Sequence, residues 1–486
     1  MTAGVDEVAL APLRERVRSV LIERTGVSRR KATMAVLLAG AFTVSFTITL
    51  LVVVLDTVAR DLGSSVSVVS WTITGPMLVF AVVGPAFGTL GDLFGHKRVF
   101  VGGLLGAGIF AGLAAFAPNA PALIVLRTLS AACGSATGPS AMAFTSRMFE
   151  PHERVRPLGV WSFVTAGAPV LGVVAGVPLV STVGWRVIFF VQAPLCALGA
   201  VLAWWLLRDT ERKPGAKFDA TGAATLGAGA ALVLLGVNRG GAWGWTSPWI
   251  VAAFAAGVVM LAAFVAVERR VAAPMIPPRW FRTRNVAFPV LSQSLANFGY
   301  MGAFMIVPQM LKDGAGLALA TVGWLIIARP LTFAVVAPLG ARVTMRTGER
   351  FAGMFGSMTV FMSLVILSTV REATPLWLIA VGLGLSGLGL GLASPAMSSL
   401  LANAVDDDQL GAASAMQQLV SQMGALLGAA VMISVHEATS AQGVLPSYSN
   451  ALVVGAALCV VAGLLAGEVR STDRRAATSA SAGATP

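Results

Sequence analysis

Fourteen apolar stretches, each long enough to cross a bilayer, follow one another along the chain with short connections between them. They run approximately over residues 32–56, 67–91, 98–117, 121–147, 157–181, 185–208, 220–238, 247–268, 285–311, 318–341, 351–370, 375–403, 409–435 and 449–467, here spans 1 to 14. A hydrocarbon core is crossed by about 20 apolar residues of helix. Inside it, each segment must satisfy its own backbone N–H and C=O groups. The pattern therefore predicts an all-α polytopic membrane protein. Only 12% of residues are charged, against roughly 25% in soluble domains. The net charge of +12 does not point to nucleic acid, because the basic residues sit in short loops between apolar spans.

Their placement sets an orientation. Of 34 Lys and Arg residues, 27 fall on the side that carries both termini. Five fall on the other side (Arg60, Arg186, Arg239, Lys312 and Arg371), and Arg127 and Arg329 lie within spans. Basic loops stay in the cytoplasm, so the expectation is a plasma (inner) membrane protein with both termini cytoplasmic. Trp243, Trp245 and Trp249 cluster at one outer loop, as an interfacial aromatic belt does. Residues 1–31 lack the clean apolar core of a signal peptide. They form a cytoplasmic tail, either an interfacial helix on Leu10, Leu13, Val17, Val20 and Leu21 or a frayed end. Residues 468–486 read as a disordered tail.

A faint repeat divides the spans. Pro338 to Arg350 aligns without gaps on Pro85 to Lys97, so that Gly348 matches Gly95 and Met345 replaces Asp92. Gly-Pro-Ser-Ala-Met at 138–142 is echoed by Ser-Pro-Ala-Met at 394–397. Two six-helix bundles follow, residues 32–208 and 285–467, with residues 220–268 as two inserted helices. Repeated bundles with a site at their interface are a common transporter plan.

Between spans 2 and 3 the chain reads Gly88-Thr-Leu-Gly-Asp92-Leu-Phe-Gly95-His96-Lys97-Arg98. Its glycines permit a sharp turn, and its charges in an apolar setting need partners, so a charged clasp is expected. This stretch resembles the loop signature of the major facilitator superfamily. Ala59-Arg60-Asp61-Leu62-Gly63, Trp71, Gly184-Trp185-Arg186 and Phe189-Phe190 also match, and with the span count they resemble the fourteen-helix drug:proton antiporter branch. The resemblance implies the superfamily fold, with 14 transmembrane helices as 6+2+6. It also implies alternating access, export, and a proton gradient in place of a bound cofactor. It places Lys97 and Arg98 against Asp406, Asp407 and Asp408, ahead of span 13, when the inner gate is shut. Arg127 matches the family's span-4 arginine, associated with proton coupling, although the following Gln-Gly is Ser130-Ala131 here. The family's acid in span 1 falls on Thr47, and half of its span-5 glycine motif survives at Gly172 and Gly176.

Asp56 is the only carboxylate close to the body of a span. We expect it to pair with Arg127 as a proton-coupling site; the alternatives are a wetted Asp56 and a snorkelling Arg127. Arg329, before Pro330 in span 10, is either an anion or acceptor contact in the cavity or a packed arginine satisfied by carbonyls freed at the proline. Gln293, Asn297 and Tyr300 share one face of span 9, and span 13 carries Gln417, Gln418 and Gln422. These side chains are either a polar cavity wall or interhelical glue. No metal spacing, phosphate loop or nucleophile elbow appears, so the chain is not read as an enzyme. Its expected partners are membrane lipids and a hydrophobic or amphipathic small molecule, with no nucleic acid, and it is read as a monomer. A lipid or lipid-precursor transporter and a non-transporting membrane sensor are the alternatives.

Overall fold

The structure, a computed structural model, describes residues 28–47, 50–51, 54–150, 153–208, 210, 219–271, 276–406 and 409–470. All regular secondary structure among them is helical. Helix occupies the place of each predicted span. Span 1 holds Arg29–Ser45, and the short helix Leu55–Asp61 ends beyond it; spans 2 and 3 are Trp71–Phe94 and His96–Ala114. Span 4 is Ala120–Gly134 and Thr137–Met148, and spans 5 to 8 are Val155–Val183, Val187–Leu206, Ala220–Trp243 and Pro248–Glu268. Spans 9 to 14 are Arg284–Gln309, Leu319–Thr347, Glu349–Ser368, Leu376–Asn403, Leu410–Ala438 and Val444–Gly467. Ten of these are long and apolar enough to cross a membrane, eleven if the bent pair Trp71–Gly84 and Ala86–Phe94 is one span. The 45° bend falls at Pro85, a residue type that lacks a backbone donor and so interrupts the helical ladder.

Helix boundaries follow local chemistry. Asn119 caps span 4 by accepting the Ala122 N–H at 2.9 Å, with Pro121 in the first turn, where a missing N–H costs nothing. Asp219 caps span 7 by accepting the Gly222 N–H at 2.7 Å. The turns between spans 2 and 3 and between spans 10 and 11 both pass through a left-handed glycine, Gly95 at φ 94° and Gly348 at φ 91°. Gly184 (φ 92°), between spans 5 and 6, is matched by Gly443 (φ 106°), between spans 13 and 14. The same backbone solution thus recurs eight spans later at two corners. That agrees with the faint sequence repeat, since only glycine enters this region without steric cost.

Each half buries its own core. Leu37, Phe100, Leu104, Phe144 and Leu207 pack spans 1, 3, 4 and 6 together. Phe298, Ile306, Leu364, Leu383, Met432 and Leu452 do so for spans 9 and 11 to 14. A third cluster joins Leu78 of span 2, Leu226 and Leu234 of span 7, Phe264 of span 8 and Met416 and Leu419 of span 13. The inserted pair is therefore docked beside the junction of spans 2 and 13. Arg239 of span 7 adds a second attachment, with its guanidinium 4.1 Å from the ring centroid of Trp71, the first residue of span 2.

Candidate functional site

The halves meet tightly on the side that carries the 88–98 loop. A β-carbon placed on Gly88 of span 2 would lie 2.6 Å from the Gly411 carbonyl oxygen of span 13. A β-carbon on Gly159 of span 5 would lie 2.7 Å from the Ala337 carbonyl oxygen of span 10. Close backbone approach of this kind is what small residues provide in membrane bundles. Arg154, ahead of span 5, donates to the Ala402 carbonyl at 2.9 Å and to Asn403 Oδ1 at 3.2 Å. Met142, Leu158, Ala402 and Leu410 form an apolar plug beside it.

The clasp itself is built differently from the expectation. Asp92 sits in the last turn of span 2, and Lys97 and Arg98 sit in the first turn of span 3, as the sequence suggests. The partner that reasoning missed is His96, which is 0% exposed. Its Nε2 lies 2.9 Å from Asp92 Oδ1, and its backbone N–H donates to Thr210 Oγ1 at 2.8 Å. The ring fills space that glycines leave open: β-carbons on Gly91 and Gly411 would fall 2.2 Å from Nδ1 and 2.7 Å from Cε1. The i, i+4 spacing of Asp92 and His96 was the available signal. Lys97 is buried with its ammonium 5.1 Å from the Trp204 ring centroid in span 6. Of the three acids expected to meet Lys97 and Arg98, Asp406 is exposed, and Asp407 and Asp408 lie outside the described residues.

Two arginines lie inside the halves. Arg127 in span 4 is buried, donates to Thr47 Oγ1 at 3.4 Å and stands 5.5 Å from the Phe189 ring centroid. Its contact in span 1 is therefore the position that matches the family's acid. Gln192 of span 6 donates to the Thr43 carbonyl at 3.2 Å nearby. Asp56 has a described backbone, in Leu55–Asp61, but its side chain lies outside the described part, and so does the expected pair with Arg127.

Arg329 in span 10 is 1% exposed. It donates through Nη2 to the Tyr300 carbonyl. Its guanidinium lies 4.0 Å from the Tyr300 ring centroid and 5.7 Å from that of Phe304. The acceptor is thus a span-9 carbonyl, rather than one freed in span 10 by Pro330. The structure joins Arg329 to the predicted face of span 9 through Tyr300. Along the same face Asn297 donates to Ser421 Oγ of span 13 at 2.7 Å and to the Gln293 carbonyl at 3.0 Å. Gln293 and Gln417 are both buried; Gln293 Oε1 and Gln417 Nε2 have no hydrogen-bond partner among the described residues. Gln418 serves elsewhere: its Oε1 reaches across the halves to within 2.7 Å of a β-carbon placed on Gly138 in span 4. Gln422 is half-buried. A shallow apolar groove of about 790 Å³, lined by Leu232, Leu235, Trp243 and Trp249, lies on the inserted pair and away from these groups.

On the opposite side, Asp61 accepts from the Trp185 indole N–H at 2.9 Å and from Arg186. The Arg186 hydrogen bond, then the indole, holds this carboxyl below its ordinary value of 3.8. The contact ties the end of span 1 to the start of span 6.

Comparison with known proteins decides the family. The model of the family described as Major Facilitator Superfamily matches residues 37–267 and 289–485. The chain belongs to that superfamily. Among its relatives within the superfamily is the puromycin resistance protein of Streptomyces alboniger, 30% identical over 85% of this chain and 83% of the relative. The tetracenomycin C resistance and export protein of Streptomyces glaucescens is 27% identical over 82% of this chain and 74% of the relative. The crystal structure of the human organic anion transporter MFSD10 superposes with a TM-score of 0.67 at 16% identity, covering 89% of this chain and all of that one. At that identity it speaks to the fold alone. The superfamily fold is the one read from the sequence, and the chain is a multi-pass membrane protein.

Proposed function

We propose that this protein exports amphipathic or hydrophobic small molecules across the plasma membrane by alternating access, with both termini cytoplasmic and proton antiport as the driving reaction. The observation that carries this reading is the likeness, over more than four fifths of the chain, to resistance and export proteins, in a chain whose halves touch through glycine seams on its basic side. With that side cytoplasmic, the seams form a shut inner gate. Separating them while the outer ends close gives the second state. Residues Gly88, Asp92, Gly95, His96, Lys97 and Arg98, with the start of span 13, are the gate in this reading. Arg127 with Thr47, and Asp56 nearby in sequence, are its proton-coupling candidates.

The test is flux in proteoliposomes holding the purified full chain, with a panel of cationic and anionic lipophilic dyes. An imposed pH gradient should drive dye movement, and a proton ionophore should abolish it. Asp56→Asn should uncouple the two, leaving dye exchange while removing the response to the gradient. Dye movement indifferent to the pH gradient defeats the antiport reading. No movement of any dye under any gradient defeats export.

A further inference from the structure

Arg329 is a cation with more donors than its surroundings accept. It sits among the spans, and Nε and Nη1 have no hydrogen-bond partner among the described residues. Every acid whose side chain is described lies in a loop or at a helix end, so the field at Arg329 is uncompensated within the span interiors. A buried charge with unmet donors is destabilising, and an arginine deep in a membrane helix is costly to place there. The carbonyl, hydroxyl and ring face of Tyr300 recover part of that. The remaining N–H groups are the kind of site that a ligand completes.

The surroundings say which ligand. One face of the guanidinium is taken by the Tyr300 ring, with Phe304 beside it, and Phe333 stands edge-on to Tyr300 at 6.3 Å. The planar fork matches a carboxylate in both shape and charge, and the rings offer apolar faces to an aromatic body. From Tyr300 the polar face of span 9 continues to Gln293, about 10 Å away at 1.5 Å per residue. There the unmet Gln293 acceptor and the unmet Gln417 donor lie on spans joined by the Asn297–Ser421 bond. We propose that this strip is the cargo-recognition site and that it selects aromatic organic anions, the anionic group bound by Arg329. The inference rests on the export reading only for the direction of movement; binding is independent of it.

The experiment measures equilibrium binding of tritiated 1-naphthoate and 1-naphthamide to the purified full-length protein by scintillation proximity. The two probes share one ring system and differ in charge. The wild type should bind naphthoate at least about tenfold more tightly, as expected for a charge-assisted bidentate pair. Arg329→Gln should bring the two affinities within about twofold of each other, and Arg329→Lys should keep an intermediate preference of about threefold, because ammonium retains the charge without the fork. Arg371→Gln, on an exposed outer loop, should leave the ratio as in the wild type. A wild-type ratio near one overturns the proposal, as does a preference unchanged in Arg329→Lys, which also covers the case in which Arg329→Gln does not fold. Dye export without anion preference sinks this inference and spares the export reading. Anion preference without dye export does the reverse.

Discussion

Two seams hold the halves together on the basic side, and they are related by the internal repeat. Span 2 meets span 13, and span 10, the repeat of span 2, meets span 5, the repeat of span 13. Both rely on a glycine pressed against a backbone carbonyl, Gly88 on Gly411 and Gly159 on Ala337. The first adds a buried pair, Asp92 with His96, beside the contact, whereas the span-5 side carries buried Arg154, bonded to the Ala402 carbonyl and Asn403 of span 12. At the second, the residue aligned with Asp92 is Met345, and the neighbours of Gly159 are Pro338 and Ala341. Packing is thus common to both seams, while a carboxylate–imidazole pair is described at only one. Opening either seam costs its packing contacts. A seam that contains a carboxylate and an imidazole also responds to hydration and charge when it opens.

This difference is best broken from the packing side first. Gly159→Val and Gly88→Val each force a side chain onto a carbonyl that cannot move aside, and overpacking of this kind costs about 1–3 kcal/mol. Both should cut flux by roughly an order of magnitude or more, with thermal unfolding of the purified protein showing the accompanying loss of stability. If either is tolerated without loss, the seams are not the gate contacts. Asp92→Asn should have a smaller effect, about three- to tenfold in flux, from loss of a buried pair of about 1–2 kcal/mol. Met345→Ala at the matching place should stay within about twofold, since no buried pair is removed there. Equal effects at the two positions would erase the proposed asymmetry.

The smallest expected effect lies on the far side, away from both seams. Asp61 is held below its ordinary value by Arg186 and Trp185, so the pair stabilises the folded chain above that value and is lost as pH falls through the lowered one. Exposed pairs contribute little. Wild type should therefore unfold slightly above Asp61→Asn in temperature at pH 7, and the gap should close as the pH is taken below about 3.8. A gap that persists in acid would assign the contact to packing of the Trp185 ring instead.

The fold was legible in sequence because a bilayer leaves a chain few choices. Runs of about 20 apolar residues must become helices, and the repeat of Gly95 at Gly348 announced the turn conformation that both share. The site was legible only in part. Arg127, Arg329 and the amides of span 9 stood out as polar residues in apolar spans, but sequence left open what each touches. Nothing in it assigned Arg329 to the Tyr300 ring and carbonyl, divided Gln417 from Gln418, or turned Lys97 toward Trp204. The histidine of the clasp went unread because its burial depends on Gly91 and on Gly411, 315 residues further along the chain.

What the amino-acid order determined is therefore local: which segments are helical, where they turn, which side is basic, and which polar groups are carried into the spans. The tertiary structure decided the pairings, because these depend on which helix faces meet between segments far apart in the chain. Hydrophobic length is a property of one segment, while a seam, a clasp or an unmet guanidinium is a property of two or more.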